Sequence, residues 1–132
     1  MDKSTILKAF NNQFEEFLED VEVLFPNNKD IKTTKTALTM MRKANPKRLC
    51  DVWFRYICTK YGDEINNGNI DYFLSKDYSN EFKMDESQTN KVLEAIDKIK
   101  GPIQELDESN KDKCIQYLKN LNQLCQIYYS VI

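Results

Sequence analysis

Asp63, Asn67, Gly68 and Asp71 fall at positions one, five, six and nine of a twelve-residue window, where a helix–loop–helix calcium site places oxygen ligands and its turn glycine. Ile70 supplies the apolar residue usual at position eight. Position three, however, is Ile65 and position twelve is Leu74. Two oxygen donors are therefore missing, one of them the bidentate carboxylate that closes the coordination sphere. The stretch YGDEINNGNIDYFLSKDY, residues 61–78, reads instead as a turn. Gly62 is expected to end a helix and Asn66-Asn67-Gly68 to reverse the chain. Ile65, Ile70, Phe73 and Leu74 then pin the segment and a short helix at 70–75 to the core.

A second set of carboxylates imitates a magnesium site. Glu16-x-x-Glu19 and Glu94-x-x-Asp97 repeat the letters of all-helical nucleotide pyrophosphatases. Glu16 and Glu19 lie opposite the aromatic stripe of their helix, so both wet faces would have to turn together to share a metal. So short a motif arises by chance in any acid-rich helical chain. There is no histidine, which removes the usual general base near neutral pH and the commonest transition-metal ligand. Cys50, Cys58, Cys114 and Cys125 form no C-x-x-C knuckle and read as small core hydrophobes, pointing to a reducing, intracellular setting. No phosphate-cradling glycine loop or nucleophile elbow appears. No catalytic residue, metal or cofactor is expected.

What remains is charge. The net −2 hides a segregation: residues 1–28 hold two bases and six acids, residues 29–48 seven bases and one acid, and the rest ten bases and fourteen acids. Lys32, Lys35, Thr36, Thr39, Lys43, Lys47 and Arg48 form a candidate binding face whose ammonium and hydroxyl groups suit acidic side chains or phosphate oxygens. A protein partner with an acidic surface is the leading expectation, and self-association through the acidic side of the first helix is a variant of it. Nucleic acid is the alternative, weakened by the lack of aromatic platforms and by an overall acidic chain. Tyr128, Tyr129 and Ile132 make a second candidate surface, although docking of the last turn onto the core accounts for them as well.

The elements that must carry these residues are helices. Three glycines and three prolines leave little for hairpins, and no alternating apolar pattern competes. Leu7, Phe10, Phe14, Phe17, Leu18, Val21, Leu24 and Phe25 mark an amphipathic helix over 4–25, ended by Pro26. Ile31, Ala37, Leu38, Met41 and Ala44 define the inner face of a second helix over 28–44. Asn45-Pro46 stops it and starts a third, 46–60, apolar nearly all round apart from Asp51 and Arg55. A polar connector covers 77–88. Val92, Ile96, Ile99, Ile103 and Leu106 stay in phase through Gly101-Pro102, so a kink or restart is expected there. The last helix, capped near Asp107, faces inward with Cys114, Leu118, Leu121, Cys125 and Tyr128. The fold expected is an all-α single domain of five main helices plus a short one. No run of apolar residues approaches a membrane span, and MDKSTILKAF lacks the stretch of a signal peptide.

The run KDIKTTKTALTMMRKANPKRL followed by YGDEINNGNIDYFLSKDYS resembles short uncharacterised proteins encoded by giant DNA viruses of algae and amoebae. In these, an RKANP helix junction precedes an extended Y-x-D-E-I-x-x-G-x-x-D-x-F-L-x-K-D-Y segment. The resemblance covers roughly residues 10–80. It implies a viral protein of the particle or the cytoplasmic factory, and it assigns no residue a role.

Overall fold

The computed structural model describes residues 2–68 and 87–130, and within them the side chains of all but 87–93. Among the described residues five helices pack into one all-α bundle: α1 (Lys3–Leu24), α2 (Lys29–Ala44), α3 (48–66), α4 (Ser87–Gln104) and α5 (Glu108–Ser130). The expected short helix at 70–75 lies outside the described residues. None of the described helices is long and apolar enough to cross a membrane.

Short polar side chains set the boundaries. Asp2 accepts the backbone N–H of Thr5 at 2.8 Å, and Asn28 accepts those of Asp30 and Ile31 at 2.9 and 3.2 Å. Asp107 accepts that of Asn110 at 3.0 Å, the cap expected for α5. Each satisfies a donor that a helix start leaves orphaned. Asn45 closes α2 through its N–H to Met41 and receives the Lys47 N–H on its side chain at 3.3 Å. A tight turn over Pro46 and Lys47 follows, so α3 begins two residues later than the proline alone suggested.

α3 also ends later. The helix continues through Gly62 to Asn66, and the chain reverses at Gly68, whose φ of +81° is the left-handed conformation that glycine adopts without penalty. Gly62 is thus an interior residue and not the stop. Between its α-helical ends, Trp53–Cys58 widens into π-type turns, with the Thr59 N–H reaching back five residues to Phe54. Gly101-Pro102 causes no restart either, since α4 carries Pro102 within its last turn.

The core gathers where the aromatic stripe of α1 meets α3 and α5. Phe10, Phe14, Phe17 and Trp53 are fully buried, and Trp53 meets the Phe14 ring edge-on at 5.5 Å. The indole N–H of Trp53 donates to Asn122 on α5 at 2.8 Å, so the largest core side chain keeps its polar handle satisfied. Asn11 reaches from α1 to the carbonyl of Pro46 at 2.9 Å and fixes the α2–α3 corner. Val92 lies outside the described side chains, and the rest of the expected stripes hold with three amendments. Ile6 is buried at the start of α1, while Leu24 is 39% exposed. Ala37 and Ala44, expected to face inward on α2, are exposed, and Thr34 is buried in their stead.

Candidate functional site

That rotation of α2 leaves a concavity beside it. It is a groove of about 490 Å³ between α2 and α4, floored by Leu38, Met41 and Ala95 and edged by Ala37, Met40 and Ala44. Core packing turns Ile31, Thr34 and Leu38 inward, which leaves the adjoining strip of two alanines and two methionines partly open to solvent. Met40 is 66% exposed. An unbranched thioether on a surface helix adapts to irregular partners, and methionines are frequent where one site accepts several shapes. Glu94 and Lys98 face the groove from α4.

The basic residues fall into two groups around this strip. Toward α1 the cations are neutralised within the molecule. Arg42 meets Glu15 at 2.9 Å, and Lys35 meets Glu22 at 3.5 Å, each pair half-buried. Away from α1, Lys32, Thr36, Met40 and Lys43 follow one another at steps of four, four and three along a single ridge of α2. Lys32, Thr36 and Lys43 are exposed, as is Lys47 in the turn beyond. Among the described residues no ion pair engages Lys32, Lys43 or Lys47. Thr39 is half-buried, and Arg48 is half-buried with interactions of its own. The seven-residue face is therefore divided: Lys32, Thr36, Lys43 and Lys47 are available beside an apolar strip, while Lys35 is committed to α1.

The second candidate surface is largely occupied. Tyr128 is buried beneath the Lys3 ammonium, which sits 5.0 Å from the centre of its ring. Tyr129 stacks on Phe54 at 4.3 Å and donates its hydroxyl to Asp51 at 2.7 Å. Burial and that carboxylate hold the Tyr129 phenol well above the usual range. Ile132 lies outside the described residues. Tyr129 thus docks α5 on α3, while Tyr128 is covered from α1.

The carboxylates read as metal mimics stay apart. Glu16, Glu19, Glu94 and Asp97 are exposed; Gln13 donates to Glu16, and Asp97 pairs with Lys100 at 2.7 Å. Among the described residues no three carboxylates or thiols gather where they could hold a metal ion. Asp63 lies within α3 and Asn67 caps it, while Asp71 and Leu74 of the calcium-like window lie outside the described residues.

No family model, curated protein or solved structure matches the chain. Its own residues must carry the reading. The groove itself was hidden from sequence, because Ala37, Ala44 and Met41 satisfy the period of a core face as well as that of an exposed strip. The signal that marks it is Met40, an apolar residue directly in line with Lys32, Thr36 and Lys43.

Proposed function

We propose that this chain is a non-enzymatic helical interaction protein whose α2–α4 groove holds an acidic, amphipathic helical segment of a protein partner. The observation that carries the reading is the pairing of an exposed Ala37–Met40–Ala44 strip with Lys32, Lys43 and Lys47, which no acid among the described residues engages. An amphipathic helix laid in such a groove buries apolar residues spaced three and four apart and directs its carboxylates toward the lysine ridge. Lysines of this kind speed encounter and set orientation, and the apolar strip supplies most of the affinity. The resemblance of residues 10–80 supplies a setting for the proposal, a virus particle or a viral factory.

The test is a nuclear magnetic resonance titration of the full chain with two probes. One is a Glu-rich amphipathic helical peptide with leucines at heptad spacing, and the other is a mixed-sequence DNA duplex. The reading expects the peptide to shift the amides of Thr33, Ala37, Met40, Ala44 and Ala95, with binding lost in Met40→Glu and weakened in Lys43→Glu. Peptide shifts scattered elsewhere, or none, overturn it. Duplex binding centred on Lys32 and Lys43, falling steeply with salt and insensitive to Met40→Glu, would replace it with nucleic-acid recognition.

A further inference from the structure

The two ion pairs that join α1 to α2 also fix the register between these helices. Glu15 meets Arg42 at 2.9 Å and Glu22 meets Lys35 at 3.5 Å, so numbering rises along one helix as it falls along the other. The pair is antiparallel. Phe14, Phe17 and Val21 on α1, with Ile31 and Leu38 on α2, turn to the core on one side of this seam. On the outer side each helix exposes a ridge of one sign. Glu16, Glu19 and Val23 follow at steps of three and four on α1, beside the Lys32–Thr36–Met40–Lys43 ridge of α2. Among the described residues no ion pair engages Glu16 or Glu19, and Glu16 accepts the Gln13 amide at 3.4 Å.

The register makes the two ridges complementary in shape as well as in charge. Carried across the seam, Glu16 stands level with the gap between Met40 and Lys43, and Glu19 with the gap between Thr36 and Met40. Val23 stands level with the gap between Lys32 and Thr36. A half-turn of a second copy about an axis along the seam keeps those levels and lays its α1 over the first copy's α2. Each ridge then enters the gaps of the other. The alternative half-turn, about an axis across the helices, sets acid on acid and lysine on lysine. Charge selects the first. Val23 is 77% exposed and Met40 66%, the two most exposed large apolar side chains among the described residues, and that arrangement covers both.

We propose that the acidic helix docking on α2 is α1 of a second copy of this chain, in a two-fold dimer where every contact occurs twice. The proposal rests on the reading of the α2 face as a seat for an acidic helix, and it names the helix. The Glu16 carboxylate meets Lys43 of the other copy, and the apolar stem of Lys32 covers Val23. A net charge of −2 keeps repulsion between whole molecules small. Exposed pairs of this kind set orientation and yield to salt, so the association is reversible.

The experiment is sedimentation equilibrium of the full chain from about 1 μM to about 1 mM, at low salt and at about 1 M salt. The proposal expects a monomer–dimer equilibrium at low salt whose association constant falls at least about tenfold at high salt. The double variant Lys32→Glu with Lys43→Glu should be monomeric, as should Glu16→Lys with Glu19→Lys, since each then carries one sign on both ridges. Mixed in equal amounts, the two should form dimers again. A wild-type chain that stays monomeric at low salt overturns the proposal, as do association indifferent to salt, assemblies larger than two, or a mixture of the folded variants without dimers. The wild-type arms need no variant, so a variant that fails to fold leaves the proposal open to refutation. If the chain stays monomeric while the Glu-rich peptide still shifts Met40, the second copy falls as partner and the reading of the face stands. If the peptide fails as well, both fall.

Discussion

Asn122 is the polar residue on which the core most depends. It is fully buried, and its side-chain oxygen is the acceptor for the only tryptophan of the chain. Asn122→Ala removes that acceptor and leaves a cavity beside Trp53, so it should cost about 2–4 kcal/mol in urea unfolding followed by tryptophan emission. Asn122→Asp keeps the acceptor but buries a charge and should also destabilise the chain near neutral pH. The thiols make a separate prediction. Burial raises the Cys50 thiol to about 12 and that of Cys114 to about 11, against an ordinary value of 9.0. The folded state thus favours the protonated form. The stability this contributes is complete below the unfolded value and is lost as pH climbs from about 9 toward 12. Denaturation midpoints should fall over that window, with a shallower fall in Cys114→Ala. The burial of the thiols was legible beforehand, and the role of Asn122 was not. Asn122 breaks the apolar stripe of α5 as any surface amide would, and only the fold brings Trp53 to it.

At the scale of elements, α3 is where the structure departs most from its sequence pattern. The run was read as 46–60 with Gly62 as its stop, because glycine so often ends a helix, yet Gly62 lies inside and Gly68 holds the left-handed turn. The two glycines should answer substitution with opposite signs. Gly62→Ala meets only ordinary contact with the Cys58 sulfur and should stabilise by up to about 1 kcal/mol through helix propensity. Gly68→Ala has open space but a positive φ and should destabilise by about 1 kcal/mol. Thermal unfolding of the two variants checks both. For α1 and α5 the sequence was a sufficient guide, since Phe10, Phe14 and Phe17 on the one and Leu118, Leu121 and Cys125 on the other leave a single apolar side. α2 was not so constrained. Alanine and threonine differ little in size and serve either inside or outside, so its face was set by what Ile31 and Leu38 could reach.

Across the whole molecule, the segregation of charge along the chain becomes contact between neighbours. The acidic first segment and the basic second one lie side by side, with Glu15 on Arg42 and Glu22 on Lys35. Such half-exposed pairs contribute modestly, and Arg42→Glu should lower stability by about 1 kcal/mol at low salt, with the difference shrinking at 1 M salt. The same variant should leave peptide binding at Met40 in place, because Arg42 belongs to the committed side of the face. The opposite ends of the described chain are also joined. Asn120 donates to Gln13 at 3.2 Å, Tyr117 to Asp20, and α1 with α5 forms the most extensive helix pair. During synthesis the phenylalanines of α1 emerge from the ribosome before α5, which helps to shelter them, has been translated. Until α5 arrives, a nascent chain must hold that aromatic stripe in a provisional association, so slowing translation before residue 108 should lengthen its exposure to chaperones.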